Sequence, residues 1–171
     1  MTEPIIQVDL EQNFRRKFVP ANANMGDWGQ VEPLFANLLE RKPGSVQALE
    51  QWLRDYSELG AALSEEEAKR YIAMTSRTDD PISAKAYQDF VEQIAPKCKP
   101  LGFAAEKQLL ANPYAKQLPA ERYKVLLRKS ENMVQLFREQ NVPLETQDEL
   151  LAMEYQKIRG AMTLRVWSTG Y

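Results

Sequence analysis

Cys98 stands between Lys97 and Lys99, and two cations beside a thiol can lower its pKa and make it nucleophilic. A working thiol also needs a base or a second cysteine. The sequence offers neither, because Cys98 is the single cysteine and there is no histidine among the 171 residues. An ordinary buried or half-buried thiol is therefore expected. The same counts leave no His/Cys zinc set, no Ser/His/Asp or Cys/His pair and no disulfide within the chain. Carboxylates remain. Glu65, Glu66 and Glu67 could act as acids, bases or metal ligands, but they follow Ser64 as a capping box with an acidic first turn, which accounts for all three. Glu131, Glu139, Glu149 and Glu154 fall on late helices, where a di-iron bundle site would require Glu-x-x-His pairs, and the absence of His excludes it. No catalytic, cofactor-binding or metal role is assigned to any residue of this sequence.

Arg15, Arg16 and Lys17 form one basic cluster, and Lys124, Arg128 and Lys129 a second. With 22 Lys+Arg against 24 Asp+Glu, a net charge of -2 and a pI of about 5.4, the chain lacks the electrostatic footprint of a nucleic-acid binder. These clusters read as surface charge, and no nucleic-acid partner is expected. No stretch approaches the roughly 20 apolar residues of a membrane helix, so no membrane partner is expected either. The polar opening Met1 to Leu10 does not have the pattern of a signal peptide, and a lone cysteine suits the cytoplasm. Trp28, Trp52, Tyr56, Tyr71, Tyr87, Tyr123 and Tyr155 recur at helical spacing and read as mostly core.

The elements that would position these residues are helices. Residues 1–25 show no sustained period and read as an extended arm. Asp27, with Gln30 as reciprocal partner, caps a helix carrying Trp28, Val31, Leu34, Phe35 and Leu38, which Pro43 and Gly44 end. Ser45 caps the next, with Leu49, Trp52, Leu53 and Tyr56 on one stripe and Gly60 weakening its end. The capping box at Ser64 opens a third. Asp80 and Pro81 open a fourth, which Pro96 and Pro100 are expected to break near Lys97 before helix resumes from Leu101 to Leu110. Tyr123, Leu126, Leu127, Met133, Val134, Leu136 and Phe137 supply another period, closed by Asn141, Val142 and Pro143. A capping box at Thr146 to Glu149 then opens a helix that turns Leu150, Leu151, Met153, Tyr155, Ile158 and Met162 towards the core, followed by a strand over 163–166. The reading is an all-α, non-repeat helical bundle of about six helices over residues 26–171, with an extended amino-terminal arm over 1–25.

Taken in order, several phrases resemble the amino-terminal lobe of oligoendopeptidase F-type zinc metallopeptidases, relatives of thimet oligopeptidase. They are Phe18-Val19-Pro20 with Trp28, Ser45-Val46 leading into Trp52-Leu53 and Ser57-Glu58-Leu59, and Ala61-Ala62-Leu63-Ser64-Glu65-Glu66. Arg70-Tyr71-Ile72-Ala73-Met74-Thr75, Pro96-Lys97-Cys98-Lys99-Pro100-Leu101 and Phe137-Arg138-Glu139-Gln140-Asn141-Val142-Pro143-Leu144 follow, and Ile158-Arg159-Gly160-Ala161-Met162-Thr163 closes the series. The resemblance spans about Phe18 to Val166 and rests on order and spacing, since no single phrase is a catalytic fingerprint.

What the resemblance implies is a largely helical, clam-shaped cytoplasmic enzyme that cleaves short peptides in a deep channel. Its zinc would be held by a His-Glu-x-x-His helix and a later Glu, all in a carboxyl-terminal lobe. None of those residues is in this sequence, so the chain is expected to be the non-catalytic lobe that roofs the channel, with no cofactor of its own. Its implied partners are the catalytic lobe and, in the complete enzyme, short peptides. Relatives continue well beyond the Met162-Thr163 segment, so the catalytic lobe is expected to lie outside these 171 residues. The residues alone also permit an alternative, a stand-alone helical module that holds a partner peptide or protein in a groove between amphipathic helices.

Overall fold

The computed structural model describes residues 16–77 and 79–163. Six α-helices lie among them: α1 (Trp28–Glu40), α2 (Val46–Ser76), α3 (Pro81–Gln93), α4 (Ala95–Ala111), α5 (Ala120–Leu136) and α6 (Asn141–Gly160), with one 3-10 turn at Ala115–Gln117. There is no strand among the described residues, and the architecture is the expected all-α, non-repeat bundle. Residues 1–15 of the arm, and the strand expected over 163–166 beyond Thr163, fall outside the described residues.

The caps at the early helices behave as their residue types require. Asp27 accepts from the Gly29 N–H at 3.0 Å, Ser45 accepts from the Ala48 N–H at 3.1 Å, and Asp80 accepts from the Ile82 N–H at 2.9 Å with Pro81 in the first turn. Gln30 does not close a reciprocal box. Its amide donates to the Asp27 carboxylate at 3.0 Å, and its oxygen takes the Asn24 N–H at 2.9 Å.

Three boundaries differ from the sequence expectation. The second and third expected helices are one, because α2 runs unbroken through Gly60 and Ser64. An interior glycine costs about 1 kcal/mol. Leu59 and Ala62 on either side of it are fully buried, and burying a leucine contributes about 1.5–3 kcal/mol, so continuity wins and the capping box at Ser64 is not used. The break between α3 and α4 falls at Ile94 rather than near Lys97. Pro96 then occupies the first turn of α4, where a missing N–H is harmless, and the N–H groups of Lys97 and Cys98 both donate to the Ile94 carbonyl at 3.1 Å. Finally, Asn141, Val142 and Pro143 open α6 instead of closing α5. Val142 is buried there, and Thr146 donates its hydroxyl back to the Val142 carbonyl at 3.0 Å rather than capping.

The core lies between α1, α2 and α4. Val31, Phe35 and Leu38 of α1 meet Leu49, Trp52 and Leu53 of α2, and Ala105 and Leu109 of α4 close the layer. Trp52 is buried with its indole N–H donating to the Leu38 carbonyl at 2.8 Å, and its ring stacks on Tyr56 with centroids 5.4 Å apart. α3 packs along α2, α5 packs along α4, and α6 lies against α3 and α4. Residues 16–25 are held to this body. Glu58 accepts from the backbone N–H groups of Lys17, Phe18 and Val19 at 2.8–2.9 Å, while Val19 and Met25 are buried.

The expectation that Leu150, Leu151, Met153, Tyr155, Ile158 and Met162 face the core holds for Leu150 and Met153 and fails for the other four. On α6, Leu151, Tyr155, Ile158 and, just past its end, Met162 are all more than half exposed, and on α5 so are Val125 and Leu136. Val142, Thr146, Leu150 and Met153 are the residues of α6 that are buried or half-buried. Periodicity correctly marks one apolar face in each helix, but among the described residues nothing lies over it. Tyr71 is likewise 46% exposed, so it too is only partly core.

Candidate functional site

The residues that drew attention in the sequence are mostly consumed by structural pairings. Glu65 is shared by Lys69 and Arg16, whose hydrogen bonds hold its carboxyl below the usual range, so the one carboxylate of the shallow hollow of about 400 Å³ lined by Arg16, Ala21, Glu65 and Lys69 is already taken. Glu66 pairs with Arg70 at 2.8 Å. Arg70 is a node that sequence reasoning passed over. It also donates to the Ala86 carbonyl at 2.9 Å and lies over the Phe90 ring, tying α2 to α3. Its i,i+4 spacing from Glu66 was the available signal.

A polar cluster forms where α2, α3, α4 and α6 converge. Tyr87 donates its hydroxyl to Glu149 at 2.8 Å, and Lys99 pairs with Glu145. Glu67 sits near Glu149, and burial, then that carboxylate, raise its pKa. Cys98 is half-buried here, with its thiol pushed up to about 12 by burial and by Glu67. The flanking lysines do not activate it, because Lys97 reaches over the Trp28 ring, 5.2 Å from its centroid, while Lys99 serves Glu145. A thiol kept protonated, without a base, has no nucleophilic chemistry at neutral pH. Glu131, Glu139 and Glu154 are exposed and separate from this cluster, as are Lys124, Arg128 and Lys129. Elsewhere, Tyr56 donates to Glu106 at 3.1 Å, and burial and that carboxylate raise its pKa; Glu106 Oε2 is buried without a partner among the described residues.

The donor set does not fit the zinc that the resemblance implies. Among the described residues no group of three or more His, Cys, Asp or Glu side chains is placed to hold a metal ion, and the sequence has no His. No described helix is long and apolar enough to cross a membrane.

What the surface does offer is apolar contact area. On α5, Val125, Leu126, Met133 and Leu136 fall within an arc of roughly 100°, beside the buried edge formed by Tyr123 and Ser130. The buried edge is anchored, since Phe137 stacks on Phe103 of α4 with centroids 4.4 Å apart and Tyr123 donates to Glu50 at 3.0 Å. A fixed helix that presents adjacent large apolar side chains is suited to receive another folded body.

A family profile, that of the Peptidase M3 N-terminal domain, matches residues 18–137. No curated protein and no solved structure matches the chain. The match starts at Phe18, where Glu58 pins the arm, and ends at Phe137, one residue past α5. It covers more than half of the sequence and includes every buried residue of the core between α1, α2 and α4, and on that ground the chain belongs to the Peptidase M3 N-terminal domain family.

Proposed function

We propose that this chain is the channel-roofing, non-catalytic lobe of a zinc-dependent, cytoplasmic oligoendopeptidase of the F type, which cleaves short peptides. The observation that carries the reading is the match of residues 18–137 to the N-terminal domain of Peptidase M3. Two features of the chain support the division of labour. It has no His, and among the described residues no three Cys, Asp or Glu side chains are grouped to hold a metal ion, which fits a division in which the catalytic lobe supplies the zinc and the base that activates water. It also has a packed helical body whose exposed α5 flank, Val125, Leu126, Met133 and Leu136, can seat against that lobe. The role is then steric: a fixed helical wall admits peptides that are short and flexible and excludes folded chains.

The purified 171-residue chain tests the non-catalytic part. It should carry no stoichiometric zinc and cleave no peptide; bound zinc together with cleavage would overturn the proposal. The same sample addresses the alternative of a stand-alone interaction module, which requires saturable binding of peptides by the chain itself.

A further inference from the structure

We infer that α6 is a detachable strap: it undocks from the α3–α4 joint as one unit and melts, while α1 to α5 stay folded. Its seat is thin. Of its 20 residues Val142 alone is buried, against three of 13 in α1 and three of 13 in α3, and Val142 lies outside the core between α1, α2 and α4. Thr146, Leu150 and Met153 are half-buried on the same side. Two polar ties add to this seat among the described residues. Glu149 accepts the Tyr87 hydroxyl of α3 at 2.8 Å, and Glu145 pairs with Lys99 of α4. The two glutamates are one turn apart, so α6 grips one residue on each side of the break at Ile94. Both are exposed, and water competes for them, so each tie contributes less than a buried one would. Docking also sets Glu149 near Glu67 of α2, and the like charges oppose it.

The body is held together without the strap. Arg70 ties α2 to α3 by donating to the Ala86 carbonyl at 2.9 Å, and the Tyr71 and Tyr87 rings meet edge to face with centroids 5.5 Å apart. Gln108 and Asn112 tie α4 to the chain between α1 and α2, donating to the Arg41 carbonyl at 2.6 Å and the Pro43 carbonyl at 3.1 Å. α5 ends on its own anchor, the stack of Phe137 on Phe103, where Arg138 donates to the Gln135 and Phe137 carbonyls at 2.8 and 2.7 Å. None of these contacts involves α6, so its release leaves them in place. Arg138, Glu139 and Gln140, all exposed, form the link on which it turns. Once released, α6 does not stay helical, because 20 residues without tertiary contact are marginal as a helix in water. Backbone exchange in α6 therefore reports undocking. Release leaves the Tyr87 hydroxyl and the Lys99 ammonium without these partners at the α3–α4 joint.

Amide hydrogen exchange of the whole 171-residue chain at pH 7, resolved by peptide, tests this directly. Corrected for intrinsic rates, residues 146–156 should exchange at least about 100-fold faster than residues 49–59 of α2, and with little dependence on urea below the global transition. The rates should form a plateau along α6, since one opening event exposes all of them. Tyr87→Phe keeps the ring against Tyr71 and loses the tie to Glu149, so exchange in α6 should quicken about 5-fold. Lys99→Gln should quicken it about 2-fold. Glu67→Gln changes no contact made by the α6 backbone but removes the opposing charge, and should slow exchange in α6 about 2-fold. Residues 146–156 exchanging at the rate and with the urea dependence of residues 49–59 would overturn the inference. So would a gradient that rises steadily towards Gly160, which is end fraying, or α6 rates that ignore both Tyr87→Phe and Glu67→Gln.

Discussion

Replacing Glu58 by alanine should loosen the arm over residues 16–25. One Glu58 oxygen accepts three backbone N–H groups, from Lys17 at 2.9 Å and from Phe18 and Val19 at 2.8 Å, while the other accepts from Lys17 at 3.0 Å. Hydrogen bonds to a charged acceptor contribute about 1.5–3 kcal/mol each, but the Lys17 N–H is exposed and returns to water easily. The cost therefore rests on Phe18 and Val19. It is capped by undocking, which exposes Val19 and Met25, each side chain's burial contributing about 1.5–3 kcal/mol before the regained chain entropy is subtracted. A loss of about 3 kcal/mol follows, or roughly 6–12 °C in Tm for a domain of this size. Glu58→Gln keeps one acceptor oxygen and should lose about half as much. Urea and thermal unfolding measure both variants, and trypsin cleavage at Arg16 and Lys17 should accelerate in the alanine variant. A Glu58→Ala chain within about 0.5 kcal/mol of the parent, or a glutamine variant as damaged as the alanine one, would refute the reasoning.

Three further outcomes are expected. Gly60→Ala meets open space inside α2 and should stabilise the chain by up to about 1 kcal/mol in urea unfolding, whereas a real helix break at Gly60 would leave it neutral or worse. Glu67 has a folded-state pKa above its unfolded value, so its contribution is full below the unfolded pKa and is lost as pH rises through the folded one; Glu67→Gln should thus be more stable than the parent at pH 7, with the gap closing in acid unfolding curves. The Cys98 thiol, raised from 9.0 to about 12, should react slowly with a disulfide reagent at pH 8 in the native chain and quickly in denaturant. Between those two pKa values the unfolded state ionises first, so stability should decline with rising pH.

The helices were legible in the sequence because caps and periods agree locally. Asp27, Ser45 and Asp80 cap where their residue types say, and Trp52 is core. The errors arose where a local signal competed with burial. Ser64 carries a good capping box, yet Leu59 and Ala62 hold α2 straight through it; Pro143 reads as a terminator, yet buried Val142 draws it into the first turn of α6. The exposed stripes of α5 and α6 mark the limit of periodicity as a guide. An apolar face at Leu151, Tyr155 and Ile158 says that a surface is to be covered, and says nothing of whether the cover comes from the same chain. Zero His is a count that the composition gives directly, whereas the pinning of the arm by Glu58 joins residues about 40 apart and leaves no local pattern.

The central claim is that these residues serve a zinc peptidase without carrying its chemistry. An antibody against this chain, used to capture the native product from its source cells, tests that claim on one sample. The account predicts a species several times heavier than 19.7 kDa that cleaves short peptides, loses activity to a chelator and regains it with zinc. A captured species of any mass that holds no zinc and cleaves no short peptide would contradict it.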